Sequence, residues 1–473
     1  MSVLPRSTPN IELASRLKEI FGDERVSRME NDRIAYARDL WPRSLLQVRK
    51  DQVPNPPEYI VWPETPGEIS KLMRMANDKK FPVIPFGAGS GVCGGTLPIS
   101  GGVICDLKRM NRIITLNEKA STVTVQVGII GEHLERELNR HGYTMGHFPS
   151  SIYCSTLGGF LAARSAGQLS TLYGKIEDMV VRLQAVLPDG TILQTVRTPR
   201  SATGPDFDQL MVGAEGTLCI ITQATMRIHL APAARTFASF IFPDMKTGVD
   251  AIRLFMRRGV RPAAVRLYDE TDTALSMLAI GMEASGNLLV LTFEGEERMI
   301  QTHERIARQI CLENGGKDQG EEPALHWFKH RYAISYNQSK ILSADQMVLD
   351  TIEVAAPWAG LMKLYDAMRQ AISKHITVMA HISHVYPDGA SIYFTVLGKA
   401  ESGKEIKLYD RVWQDALKAC LKAGGVVSHH HGIGVLKAKF FEQQAGPAMR
   451  ILKELKAALD PNNILNPGKL GLS

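Results

Sequence analysis

The stretch "PFGAGSGVCGGTLPISGGVICDL", Pro85 to Leu107, decides how the first half of the chain folds. Its glycines at 87, 89 and 91 approach a dinucleotide fingerprint, but G-x-G-x-G misses the third glycine of G-x-G-x-x-G. No helix starts behind them, because Pro98 and two more glycine pairs intervene before an apolar strand expected at 102–107. A Rossmann site needs a helix N-terminus at that point, so the Rossmann reading fails. What remains is a nest of close backbone N–H groups, able to hold a pyrophosphate without a helix. The preceding residues, 59–86, read as a β-α-β unit. An apolar strand at 59–62 meets Thr65-Pro66-Gly67-Glu68, a capping box with proline at the first helical position. A helix carrying Ile69, Leu72, Met73 and Met75 follows, then a strand at 83–86, with a right-handed crossover expected.

Further out, residues 11–30 pattern as a short amphipathic helix, and 121–149 as a second β-α-β-like stretch. A helix-like run starts at Gly158, and two strands meet at Asp189-Gly190, a hairpin turn. "LMVGAEGTLCIITQATMRI" closes this half with a glycine turn and a strand. From about Pro232 long amphipathic helices such as "RMIQTHERIARQICLENG" and "GLMKLYDAMRQAISK" alternate with strands, so a domain boundary is placed there. The tail "LKAALDPNNILNPGKL" is a helix ended by Asp-Pro, then a polar turn.

The chain has 473 residues, 44% hydrophobic and 22% charged, with a net charge of +6 spread along its length. That is the composition of an ordinary globular protein. The charge suits anionic small molecules, and no nucleic-acid motif is present. The six cysteines form no C-x-x-C pair, which points to reduced core thiols and a cytoplasmic protein. No signal peptide or membrane-spanning window is expected, and the final "LGLS" is not a peroxisomal address.

"VVSHHHGIG", Val426 to Gly434, sets three histidines side by side. On a strand His429 and His431 share a face while His430 points away, and on a helix they fan apart. Contiguity therefore argues against a simple three-histidine metal site.

Taken in order, the glycine loop, "STLGGFLAARSAG", "YGKIEDMV", "GAEGTLCIIT" and "NPGKL" resemble the vanillyl-alcohol oxidase (PCMH-type) flavoproteins over nearly the whole chain. The resemblance implies an α+β fold with a PCMH-type FAD-binding domain of two subdomains at 1–231. A cap domain with an antiparallel sheet and flanking helices would follow at 232–435, and 436–473 would return to the FAD domain. Two branches compete. The D-2-hydroxy-acid dehydrogenases carry H-x-G-D-G-N-x-H and E-H-G-I-G, which bind a divalent metal. Here "HISHVYPDGASIYF" has Ala390 and Tyr393 near the asparagine and second histidine, and His430 replaces the glutamate. No metal is expected, although a site built from His381, His384 and one or two of His429–His431 stays open.

The alkylglycerone-phosphate synthase family fits better. Its G-H-x-P-x-S is matched by Gly146–Ser151, and its P-A-S-I-R-L is similar to "PAAVRL" with Arg266. Its A-P-W is found at 356–358, its D-A-G-A-C-I-Y-F resembles "DGASIYF", and the triple histidine is shared. There are two departures. Near "NQSKIL" only Lys340 offers a cation where that family has an arginine, and His381 replaces another arginine.

The resemblance implies non-covalent FAD. Pro85, Phe86, Gly87, Ala88, Gly89, Ser90 and Gly91 would cradle its pyrophosphate. Pro149, Ser150, Ser151, Thr156, Gly158 and Gly159 would run beside the flavin and ribityl chain, with Ala162, Arg164, Ser165 and Gly167. Gly216 and Ile221 would sit at the adenine or ribose end. The implied reaction exchanges the acyl group of an acyl-dihydroxyacetone phosphate for a long-chain alcohol, with flavin N5 holding the substrate carbon and no net redox change. Tyr393 would accept a proton, and a phenol of pKa ~10 needs positive charge nearby to do so at pH 7. His429, His430 and His431 would supply it, with His147 lining the site. Arg266, Lys340 and His381 would hold the substrate, Arg266 by a guanidinium fork. The alternative is an FAD-dependent D-2-hydroxy-acid dehydrogenase passing electrons to a carrier. A homodimer is expected, and a lipid substrate leaves peripheral membrane contact open.

Overall fold

The computed structural model describes residues 10–472 except 197, 199–200, 334–340 and 342–343. Lys340 therefore lies outside the described residues. The first sheet contains β1 (Val26–Ser27), β2 (Tyr59–Val61), β3 (Val83–Phe86) and β4 (Val103–Asp106), in the order β1-β2-β4-β3. The helix Pro66–Lys79 begins as its sequence dictates, with Thr65 Oγ1 accepting from Glu68 N at 3.3 Å and Glu68 Oε2 accepting from Thr65 N at 3.1 Å. It buries Ile69, Leu72, Met73 and Ala76. β2 and β3 do not pair with each other. β4, buried along its whole length, slots between them and runs parallel to both, as apolar strands of parallel sheets do. The expected helix at 11–30 is shorter, Ile11–Phe21, because Gly22 ends it at φ 81°.

The second sheet begins with β5 (Ile113–Asn117) and β6 (Thr122–Gln126), followed by the helix Gly131–Arg140 and β7 (Tyr143–Thr144). β8 (Val180–Val186), β9 (Ile192–Gln194), β10 (Ile220–Arg227) and β11 (His229–Leu230) complete this half. The sheet is antiparallel in the order β5-β6-β10-β8-β9, and the Asp189-Gly190 hairpin joins β8 to β9. The second expected β-α-β unit does not form. β7 is two residues long and pairs with β11, because the chain then turns at Gly146 (φ 74°), where a Cβ would lie 2.4 Å from the Tyr173 ring.

The third sheet has seven antiparallel strands: β12 (Ala234–Phe242), β13 (Ala264–Tyr268), β14 (Asn287–Gly295), β15 (Lys317–Asp318), β16 (Met347–Pro357), β17 (Thr377–Val385) and β18 (Gly389–Lys399). Its order is β15-β12-β14-β13-β17-β18-β16. Alternation gives this cap sheet two faces. One carries Phe240, Leu267, Leu291, Ile352, Ile382 and Phe394, buried in one core with the helices Met245–Arg257, Glu297–Glu313 and Trp358–Ile372. Truncating one of those phenylalanines costs ~3–5 kcal/mol. The other face is mixed: Ile241, Ala264, Leu288 and Val290 form a smaller apolar cluster on it, and Arg266, His381, Tyr393 and Glu353 bear the site. The tail returns to the first sheet, where Leu465 bridges to Val83 and Lys469 Nζ donates to Leu97 O at 2.7 Å. Among the described residues no helix is long and apolar enough to cross a membrane.

Candidate active site

A cavity of about 1040 Å³ runs from the glycine loop to the face of the cap sheet that carries Arg266, His381 and Tyr393. This is at the top of the ~300–1,000 Å³ range of small-molecule sites, enough for a cofactor and a substrate together. Every residue from Pro85 to Gly91 lines it. Lys108 fixes the loop by donating to Gly87 O at 2.8 Å and to Asp106 at 2.6 Å. A Cβ on Gly87 would meet Thr156 Oγ1 at 2.3 Å, and Gly89 turns at φ 62°. Side chains are thus excluded where backbone N–H groups must approach a ligand.

The same wall carries linked hydroxyls, Ser90 to Ser155 at 2.6 Å and Ser155 to Ser151 at 2.7 Å. Two lining residues, Asp39 and Thr96, each keep a buried side-chain oxygen without a partner. Burial pushes the Asp39 carboxyl up to about 7, against backbone N–H groups and Lys469. A glycine cradle with orphaned polar atoms fits the pyrophosphate and ribose of FAD.

Pro149, Ser150, Ser151, Thr156, Gly158, Gly159, Ala162, Ser165, Gly216 and Ile221 also line the cavity. Arg164 and Gly167 are not brought to it. Arg164 caps the helix Leu157–Ala163 at φ 50° and donates to Val212 O at 3.0 Å and to Gln209. At Gly167 a Cβ would lie 2.5 Å from Phe148 N, so its glycine serves packing. His147 is buried behind the wall and reaches the cavity only through Ser165, Nε2 to Oγ 2.7 Å. Burial first, then Lys175, hold its imidazole neutral with a pKa of about 3.

The cap face is a row set by register: Glu353 opposite Tyr393, Tyr393 opposite His381, His381 opposite Tyr268. Arg266, two residues before Tyr268, shares that face. Tyr393 stacks on His381, with centroids 5.0 Å apart and planes 20° from parallel, and meets His431 edge-on at 5.5 Å. Burial raises its phenol to about 12, against a hydrogen bond from Thr351 and the charge of Arg266. Arg266 Nη2 contacts His381 Nε2 at 2.6 Å, and its Nε donates to Tyr268 at 3.0 Å. His381 Nδ1 lies 3.3 Å from Asp272. Arginine has only donors, so His381 carries its proton on Nδ1, toward Asp272.

The histidine loop is neither strand nor helix. The backbone N–H groups of His429, His430 and His431 curl around Glu353, with His431 N donating at 3.1 Å. Ser428 Oγ (2.8 Å) and the fully buried Lys437 Nζ (2.7 Å) also donate to this carboxylate. Burial alone would raise its pKa, but Lys437, His431 and the N–H groups win and hold it at about 2. His430 and His431 consequently face the cavity together, while His429 turns toward His384 and Tyr386. The alternation expected of a strand, pairing His429 with His431, is lost to this nest. His384 reaches the cavity through a bulge at φ 51°, its Nδ1 2.8 Å from Ser170 Oγ.

Burial depresses all these imidazoles, His429 to about 3, His431 to about 4, and His430 and His384 well below their ordinary value. The cluster is therefore neutral at pH 7, which corrects the expectation that it lends positive charge to Tyr393. Arg266 is the lining cation that acts on the phenol. Among the described residues no group of three or more His, Cys, Asp or Glu is placed to hold a metal ion.

Residues 231–470 match the C-terminal domain of FAD linked oxidases, and residues 57–195 match an FAD binding domain. The chain belongs to the FAD-linked oxidase family. Alkyldihydroxyacetonephosphate synthase of Dictyostelium discoideum is 31% identical over 98% of this chain and 81% of its own. The mitochondrial D-lactate dehydrogenase [cytochrome] of Arabidopsis thaliana is 30% identical over 88% of this chain and 74% of its own. A solved alkyldihydroxyacetonephosphate synthase superposes with a TM-score of 0.84 at 28% identity, covering 98% of this chain and 86% of that one. This FAD-linked oxidase family member is thus an FAD-dependent enzyme.

Sequence reasoning missed the two acids that shape the family member's histidine loop, Glu353 and Glu215. Glu215 accepts from Ile433 N at 2.5 Å and Gly434 N at 2.8 Å. A signal existed for Glu353: it sits inside the apolar run "MVLDTIEVAAP", where a buried charge demands a partner. Asp272 and Arg331 were also missed, and both line the cavity.

Proposed function

We propose that this FAD-dependent enzyme exchanges the acyl group of an acyl-dihydroxyacetone phosphate for a long-chain alcohol. The observation that carries this reading is the pairing of the Tyr393 phenol with the Arg266 guanidinium on the face of the cap sheet that lines the cavity together with the glycine cradle. Near-full-length similarity to the synthases supports it. Bound FAD supplies an electron-accepting ring beside the substrate. Arg266 forks onto the substrate phosphate. The phenol of Tyr393 is protonated at pH 7, so it takes the proton from the carbon next to the ketone only as its own proton passes to a neutral imidazole, His430 or His431, which ends the step as the imidazolium. FAD is held without a covalent bond. In support, burial raises the pKa of the two lining thiols, Cys93 and Cys219, so both stay protonated. Acid precipitation is expected to leave the flavin in the supernatant. Residues 1–231 would form the cofactor domain and 232–435 the cap.

The test is anaerobic. The yellow protein receives acyl-dihydroxyacetone phosphate with a fatty alcohol, or a D-2-hydroxy acid with an acceptor dye. Acid release without dye reduction is expected. Flavin bleaching by the hydroxy acid, passed on to the dye, would replace this reading with the dehydrogenase.

A further inference from the structure

Arg331 lines the same cavity just beyond the helix Glu322–His330, and the described residues give it no ion-pair partner. Its guanidinium lies over Phe328 at 3.9 Å and over Tyr332 at 4.5 Å. Nη1 donates to Phe328 O at 2.5 Å and Nη2 to Tyr332 OH at 3.1 Å, while the buried Nε has no acceptor. Aromatic faces hold a guanidinium in place without neutralising it. A half-buried cation with an orphaned donor is costly unless an anion completes it.

Gln168 ties this residue to the cofactor wall. Its Nε2 donates to Arg331 O and to Ser150 Oγ, both at 3.1 Å, and its own Oε1 is buried without a partner. Arg266 lies on the far side of the Trp327–Phe328 ring pair, 5.3 Å from the Trp327 centroid, with the two rings 6.4 Å apart.

We propose that Arg331 is a second anion-binding residue of the substrate site, acting with Arg266 on a substrate that carries a phosphate or carboxylate group. The residue determines specificity and has no part in proton transfer. This rests on the reading of the cavity as the substrate site, and it deepens that reading by naming the acidic group as the recognised feature. It also supplies a cation that the sequence sought at Lys340.

The test uses the yellow holoenzyme, titrated with dihydroxyacetone phosphate, D-lactate and uncharged dihydroxyacetone, and followed by the flavin absorbance change. In Arg331→Gln, binding of whichever anion perturbs the flavin is expected to weaken roughly tenfold or more. Flavin content and the response to dihydroxyacetone stay unchanged, and Arg331→Lys recovers part of the loss. Equal anion affinity in wild type and Arg331→Gln overturns the proposal, as does a wild-type flavin blind to both anions. If only D-lactate binds and bleaches the flavin, the synthase reading falls while the Arg331 subsite stands or falls on its own ratio.

Discussion

Glu353 and Glu215 grip one loop from opposite halves of the molecule, and their surroundings shift their pKa values in opposite directions. Glu353, on the cap sheet, takes the N–H groups of His429–His431 and has Lys437 as its counter-ion, so it stays ionised with a pKa of about 2. Glu215, in the cofactor half, takes Ile433 and Gly434 N–H, but burial raises its pKa against those bonds and against Lys469 and Lys437. The lesson is about where the loop's rigidity comes from. Its histidines are aimed from the cap sheet by a carboxylate paired with Lys437, and from the other half by a carboxyl that has no such close counter-ion and whose pKa burial raises.

The largest effect comes from breaking the paired charge. Glu353→Ala leaves Lys437 buried and alone, and removing one partner of a buried pair costs ~3–5 kcal/mol, to be read by chemical denaturation. Glu353→Gln combined with Lys437→Met should recover much of that loss. The pH dependence follows from the depressed pKa. Glu353 stabilises the fold above its unfolded value near 4.5, and that stability disappears as pH falls toward about 2. The span corresponds to ~3 kcal/mol, and Glu353→Gln should flatten the stability profile across that window. An unchanged profile would remove the charged half of the comparison.

Tyr393→Phe separates chemistry from architecture on the same sheet row. Turnover is expected to fall ~10²- to 10⁴-fold, with denaturation midpoint and flavin content unchanged. Joint loss of flavin would mean that the phenol supports the cofactor rather than the reaction.

These two residues also mark what the sequence discloses. The glycine cradle was legible because part of its constraint is local, as at Gly89 with its positive φ and its close approach to Phe86, whereas the approach of Gly87 to Thr156 is not. The capping box at Thr65–Glu68 and the hairpin at Asp189-Gly190 were legible for the same reason. Tyr393 and Arg266 were found through motif resemblance, and the register then set them on one face. The conformation of the histidine loop was not legible, because it is imposed by carboxylates 76 and 218 residues away in sequence. The charge state of the histidines was misread because it depends on burial, which short patterns do not encode. The strand order β2-β4-β3 needed a third strand beyond the β-α-β unit itself.

On the cofactor side the effects are smaller. Glu215→Gln keeps one carbonyl for two N–H donors, so one goes unpaired at ~1–3 kcal/mol. Its pH signature is opposite in sign to that of Glu353. A carboxyl whose folded pKa is raised contributes stability below its unfolded value and loses it as pH rises through the folded one. Wild type should therefore shed stability on that rise, and Glu215→Gln should not.

The smallest effect belongs to Lys175, whose ammonium donates to His429 O at 2.7 Å and lies 3.0 Å from Glu177. It touches the loop from outside both carboxylates, so it tests whether they suffice. Lys175→Met removes one charged hydrogen bond and is expected to cost ~1 kcal/mol. It also removes a cation that helps to depress His429, His430 and His147, after burial. With that cation gone the protonated imidazole is less disfavoured, so the His429 titration, followed by NMR, should move up, while burial, the larger cause, keeps it below its ordinary value. The ring stays neutral at pH 7. A shift large enough to charge the cluster at neutral pH would mean that Lys175, rather than burial, sets its state, and the cap-side histidines would then be a switchable cation beside Tyr393.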